Sequence, residues 1–327
     1  MGNKLTYYNI YGFVLAVDSG IKKTFETEYW RFKVSEPKKV DLYVLKTAKK
    51  DLPVKLRLDT RGIYIPFGKN ENTVFYEPGV KSDWVLYSVE PLIHWKDKCF
   101  LHCGAVSKNG QAIVFPAEGG VGKTTMATFL VSKGYEYLSD DWLIIGKDGN
   151  AYPFFKTIHV FDYNLKNKTL AKKVLGKKRT LYSLWFKFLD LVPKIFPNRF
   201  IRIMAERAKP IFSVDFTVLH PNAKLGKVCP IKKIYWLKKD PTIKNPILKK
   251  INSVNISEKM PYITALETNH FYKNYFEWVY NHAPNKEIEK RVETEKEILK
   301  QAFHGAESYE LKVPVKIDAN KVFKLIK

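Results

Sequence analysis

The chain has 327 residues, 45% of them hydrophobic and 14% aromatic, and carries a net charge of +23. That is enough apolar material for one large α/β core with a smaller companion domain, and it excludes a chain too polar to fold. No run approaches eighteen uninterrupted apolar residues, and the opening from Met1 to Tyr7 lacks the charged-then-apolar plan of a signal peptide, so a soluble, cytoplasmic protein is expected.

Short runs that alternate apolar and polar residues fill the stretch from Tyr7 to about Ser88. Tyr11 to Val17, Trp30 to Val34, Val40 to Leu45 and Val54 to Leu58 each have the period of two that predicts a strand. Pro37, Pro53, Gly62, Pro66, Gly68, Pro78 and Gly79 punctuate them, so residues 1–95 read as a mainly β domain without a catalytic constellation. No linker of Ser and Gly marks the boundary near residue 95, and the two parts are expected to share an interface.

Gln111 to Phe115 is a short apolar run that enters a glycine-rich loop, and Lys123 to Lys133 then reads as a helix stopped by Gly134. Asp148-Gly149 predicts a hairpin between Trp142–Ile145 and Ala151–Phe154, which makes the expected sheet mixed, not purely parallel. Lys166 to Arg179 carries seven basic residues and no acidic one, and Leu181 to Val192 is crowded with Tyr182, Trp185, Phe186 and Phe188. A helix covering the core is the preferred reading of residues 166–209, with a contact to an anionic membrane or a partner as the alternative. Ile234 to Leu237 reads as a buried strand. Asn285 to His304 reads as an amphipathic helix with Ile288, Val292, Leu299 and Phe303 on its stripe, and Tyr309 to Val313 as a late strand.

Cys99, Cys103 and Cys229 are too few for a disulfide framework and agree with a reducing compartment. Cys99, His102 and Cys103 lie close together, but no second Cys or His pair follows at zinc spacing, so burial is preferred to a structural metal site. The positive charge is mostly lysine and comes without a helix-turn-helix, zinc-finger or RRM signature, so a solvated surface is preferred to a nucleic-acid site.

The chemistry concentrates in Ala117-Glu118-Gly119-Gly120-Val121-Gly122-Lys123-Thr124, followed by Thr125. This is the Walker A pattern with Ala at its first position, which predicts binding of ATP with Mg²⁺. The glycines let consecutive N–H groups face a phosphate, and the helix that follows adds its positive end. Lys123 reaches the β and γ oxygens, and the Thr124 hydroxyl reaches the metal. Asp140-Asp141 comes 17 residues after Lys123, the distance needed for one helix and a returning strand. One Asp can hold Mg²⁺ while the other takes a proton from an incoming hydroxyl.

Leu101 to Val106, Ala117 to Thr125 and Lys133 to Asp141 together resemble, in order and spacing, the HPr serine kinase family, whose fold is related to phosphoenolpyruvate carboxykinase. The resemblance implies a mixed-sheet kinase core over residues 96–327. It places the catalytic base on Asp140, metal ligation on Asp141 with Thr124, and an active-site role on His102, whose alternative is a core histidine. Members of that family form hexamers, which leaves an oligomer open here by analogy alone. The Glu-Ile-Arg-Gly element of that family has no counterpart after Asp141, where the chain reads Phe155 to Asp162. The resemblance implies a serine-type hydroxyl acceptor, and without that element the acceptor is left unassigned among a protein, a peptide and a small molecule. Gly119 to Thr125 also resembles the loop of ParA/MinD partitioning ATPases, but Glu118 stands where that class needs its signature lysine. A sensor that binds ATP without catalysis is the third reading.

Overall fold

The computed structural model describes residues 4–47, 63–64, 72–160, 162, 165, 168–210, 212–268, 275–276, 279–280 and 286–326. The expected strand Val54 to Leu58 lies outside them. The fold is mixed α/β, in two compact units: residues 1–154 with 224–327, and residues 155–223.

In the first unit, β1 (Thr6–Ile10), β2 (Phe13–Val17), β3 (Lys33–Val34), β4 (Leu42–Lys46), β5 (Ile63–Tyr64) and β6 (Thr73–Tyr76) form one sheet in the order β3-β1-β2-β4-β6-β5. β2, β4 and β6 pair in parallel, and the other pairs are antiparallel. Their inward residues, Tyr8, Leu15, Val17, Leu42, Val44 and Val74, alternate as a half-buried strand requires. The run Trp30 to Val34 departs from its expected strand. Phe25 and Tyr29, four apart, are both buried and commit Lys22–Tyr29 to a helix. Trp30–Phe32 continues it as a 3₁₀ turn, and only Lys33 and Val34 are extended.

The second sheet begins with β7 (Lys98–Lys108), β8 (Gln111–Pro116), β9 (Glu136–Ser139), β10 (Trp142–Gly146) and β11 (Asn150–Tyr152). The chain then passes through the other unit, where β12 (Ile158–Val160) and β13 (Phe212–Val214) pair antiparallel. It returns as β14 (Cys229–Lys239), β15 (Ile247–Lys250) and β16 (Glu307–Val313). The order is β11-β10-β7-β8-β14-β16-β15, with β9 also on β7. β8, β14 and β16 run parallel, and the hairpin arms are antiparallel, as the turn at Gly149 (φ 81°) requires. β11 also pairs with the start of β14, so the sheet curls back on itself.

Phe115, Tyr235 and Tyr309 stack across three neighbouring parallel strands, with ring centroids 5.6 and 5.3 Å apart. On that face the helices Lys123–Ser132 and Ala319–Ile326 cover the sheet through Met126, Leu130, Val322 and Ile326. The opposite face is covered by Met260–Glu267 and Arg291–Ala302, through Met260, Ile298, Leu299 and Phe303. The expected helix from 285 to 304 is interrupted at Lys290. Its inward face includes Arg291 and Glu295, buried as an ion pair at 2.7 Å, while Val292 is only half-buried. Phe100, Trp142, Ile144 and Phe154 of the second sheet join the apolar cluster of the first sheet, so the two sheets share a core, as the soft boundary near residue 95 implies.

In the unit formed by residues 155–223, helices Lys168–Leu175, Arg179–Ile195 and Arg199–Arg207 surround a small cluster of Val160, Leu165, Ala171 and Leu175. Tyr182 and Phe186 pack against that cluster, but Trp185 and Phe188 face solvent, so the aromatic helix covers a core with only one of its faces.

Candidate active site

One long strand, β7, organises the site. On one edge β8 departs from it at the Cys103–Pro116 pair, and the glycine-rich loop starts at the next residue. On the other edge β9 pairs with Ala105 to Ser107 and β10 with Lys98 to His102. Asp140 and Asp141 fill the break between those two strands, opposite Cys103, whose N–H donates to the Asp141 carbonyl at 2.9 Å. Loop and carboxylates therefore flank the same few residues of one strand. Gly104 permits this: a Cβ there would lie 3.0 Å from the Lys123 carbonyl oxygen, so any side chain would push the helix start off the sheet.

Within the loop, Gly120 (φ 71°) and Gly122 (φ 116°) adopt left-handed conformations that non-glycine residues resist. Ala117 and Val121 are buried and anchor it, while Glu118, Gly119, Gly120, Thr124 and Thr125 are exposed. Lys123 is buried, and its ammonium donates to the Glu118 carbonyl at 3.0 Å. Burial lowers its pKa, against the opposing pull of Asp141, Cys103, Glu267 and Asp140. The amine is thus folded onto its own loop, close to the anionic groups that a phosphate would join.

The two aspartates have different surroundings. Asp140 is 7% exposed; its Oδ1 accepts from Tyr137 Oη at 2.9 Å, and its Oδ2 from Thr124 Oγ1 at 3.4 Å. Burial, with help from the Asp141 charge, pushes its pKa up to about 6, while the Tyr137 and Thr124 hydrogen bonds pull the other way. The Asp141 side chain is 50% exposed, with Oδ1 3.0 Å from His102 Nε2. His102 itself is buried against Trp142, with ring centroids 5.2 Å apart. Lys123, Thr124, Asp140, Asp141 and His102 are therefore brought together, but Thr124 meets the first aspartate and His102 the second.

Glu267 completes the group and was not singled out by any local pattern. It ends the helix Met260–Glu267, 148 residues downstream of Gly119, and its Oε1 accepts from the Gly119 N–H at 3.2 Å and stands 3.6 Å from His102 Nδ1. A carboxylate in the last turn of a helix faces the negative end of the helix dipole, so its position is maintained by the donors opposite it. The only sequence signal was that mismatch of charge and helix end. With Glu267 in place, an anionic oxygen already occupies one of the loop amides that would hold a phosphate.

Thr124 Oγ1 and Asp140 Oδ2, 3.4 Å apart, could both face one Mg²⁺ if they drew together by about 0.5 Å, since neighbouring ligands of that ion lie ~2.9 Å apart. Among the described residues no cluster of three or more His, Cys, Asp or Glu side chains is arranged to hold a metal ion. An Mg²⁺ on one carboxylate and one hydroxyl would take its other ligands from phosphate oxygens and water. The three cysteines are buried free thiols, and burial raises the pKa of each. No described helix is long and apolar enough to cross a membrane. Compared with known proteins, the chain matches no family model and no curated protein.

Proposed function

We propose that this protein is an ATP-dependent phosphotransferase of the HPr kinase-like type, which moves the γ-phosphoryl group of ATP to a hydroxyl on a protein, a peptide or a small molecule. The single observation that carries the reading is the convergence of a glycine-rich loop, its helix start and two aspartates on one stretch of β7. Exposed loop amides and Lys123 would bind the polyphosphate. Thr124 and Asp140 would hold Mg²⁺, which when bound neutralises charge on the transferring phosphoryl group.

The geometry favours exchanging the roles that family resemblance assigns to the two aspartates. Asp140 is buried and hydrogen-bonded to Thr124, as a metal-side ligand should be. Asp141 is half-exposed and hydrogen-bonded to His102, where an acceptor hydroxyl can reach it and its proton can be taken. His102 orients that carboxylate from the strand beneath. Lys123 stabilises charge as the bond to the leaving phosphate breaks.

Transfer of label from γ-labelled ATP into host extract tests the reading. The wild-type protein is expected to label an acceptor. Asp141→Asn should lose transfer while still binding ATP, and Asp140→Asn should lose the Mg²⁺ dependence of ATP binding. Binding of ATP with neither transfer nor hydrolysis would reduce the protein to a sensor. Unchanged transfer by Asp141→Asn would remove the base from that residue.

A further inference from the structure

Residues 155–223 contain fourteen basic and four acidic residues, and the placement of both kinds is uneven. Lys209 gathers three of the four acids: its ammonium lies 3.0 Å from Asp162, 2.8 Å from Asp190 and 3.1 Å from Glu206. The fourth, Asp215, caps a helix by accepting from Thr217 N–H at 2.8 Å. Asp190 and Glu206 stay largely exposed beside Lys209, so the acids are clustered and not removed; the unit keeps an excess of ten positive charges, and Lys187, Lys194, Arg199 and Arg202 lie exposed on its two longest helices.

Those helices also hold the largest apolar surface of the unit. At 100° per residue, Arg179–Ile195 divides into three faces. Tyr182, Phe186 and Leu189 point inward. Ser183, Lys187, Asp190 and Lys194 form a polar face. Leu181, Leu184, Trp185, Phe188, Leu191 and Ile195 form a third stripe about 120° wide, and all six are exposed, Trp185 at 42% and Phe188 at 54%. Phe200, Ile203 and Met204 repeat the pattern on Arg199–Arg207. An apolar groove of about 330 Å³ between Phe188, Val192, Phe200 and Met204 joins the two stripes.

An apolar stripe of this size left in water is unfavourable, and monomeric proteins keep such patches for a partner. The basic rim says which partner. The unit's charge is one-sided, fourteen basic residues against four acidic, which complements an anionic surface, and a helix that lies in the headgroup layer pairs an apolar face with flanking Lys and Arg. No described helix is long and apolar enough to cross the bilayer, and the polar face of Arg179–Ile195 suits a helix lying flat. We infer that the unit 155–223 is a docking module for an anionic lipid surface: the stripe through Trp185 and Phe188 enters the acyl boundary, and the rim of Lys187, Lys194, Arg199 and Arg202 meets the phosphate headgroups. This does not depend on the phosphotransfer reading.

Co-sedimentation of the full chain with vesicles tests it. Binding is expected to phosphatidylcholine vesicles containing 30% phosphatidylglycerol and not to phosphatidylcholine alone, and to weaken steeply between 0.1 and 0.5 M NaCl. Trp185→Asp with Phe188→Asp should weaken binding at least tenfold with an unchanged circular dichroism spectrum, since both side chains are exposed. Lys187→Glu with Lys194→Glu, which leaves the apolar stripe intact, should weaken it on the order of fivefold for each charge site altered. Failure to pellet with anionic vesicles at low salt would overturn the inference, as would equal binding to neutral vesicles. So would a dimer in analytical ultracentrifugation that Trp185→Asp with Phe188→Asp turns into a monomer while vesicle binding is absent, because the stripe would then be an interface between copies.

Discussion

Replacing Asp140 by Asn should stabilise the free protein, although the residue belongs to the proposed metal site. The carboxyl is buried beside Asp141, and its pKa rises from the ordinary 3.8 to about 6. At 1.36 kcal/mol per pH unit, ionising Asp140 above that point costs the folded state about 3 kcal/mol that the unfolded chain does not bear. The folded state holds the proton longer than the unfolded one, so stability falls as pH rises from about 4 to 6 and then levels off. Asn keeps the shape and an acceptor for Tyr137 Oη without the charge. The variant should gain up to about 3 kcal/mol at pH 8, roughly half of that at pH 5, about 0.5 kcal/mol at pH 4 and almost nothing near pH 3. Thermal melts at these pH values read the difference as a Tm gain of about 1.5 °C per kcal/mol for a chain of 327 residues. In the same variant, Mg²⁺ should no longer add to the stabilisation that ATP confers. A Tm difference that is absent at pH 8, or that does not shrink on acidification, would refute the assignment of a strained, ionised carboxyl at this position.

Three further outcomes follow from the geometry. Lys123→Ala should abolish the ATP-dependent rise in Tm, which in the wild type should reach about 2.7 kcal/mol of stabilisation at one hundred times Kd; a full rise in the variant would mean that nucleotide binds elsewhere. Glu267→Gln removes the charged oxygen that competes for the Gly119 N–H, so calorimetry should record ATP binding on the order of five- to tenfold tighter; weaker binding would make Glu267 a ligand-holding group instead. Gly104→Ala sets a methyl group 3.0 Å from the Lys123 carbonyl and should cost about 1–3 kcal/mol in urea denaturation together with weaker ATP binding; a neutral result would mean that the helix start shifts freely.

Local signals determined a good part of this protein from sequence alone. Alternation identified β2 and β4; Gly134 and Gly149 marked where a helix stops and a hairpin turns; and the glycine-rich loop was legible because its glycines, lysine and threonine are contiguous in the chain. These properties lie within ten or so residues, the range over which periodicity and turn chemistry act. Other features depend on pairing between distant segments. That Thr124 meets Asp140 while His102 meets Asp141 follows from β9 and β10 sharing one edge of β7, and a shift of one residue there would exchange the two carboxylates. Glu267 enters the site from a helix whose own pattern says only that it packs on a sheet. The stripe through Leu181 and Trp185 has the same composition whether it faces a core or water, and the inward turn of Tyr182, Phe186 and Leu189 leaves it exposed. Sequence spacing determines which residues share a face, but which face is covered, and which charge neutralises which, is decided only when remote elements close on one another and exclude water from one side.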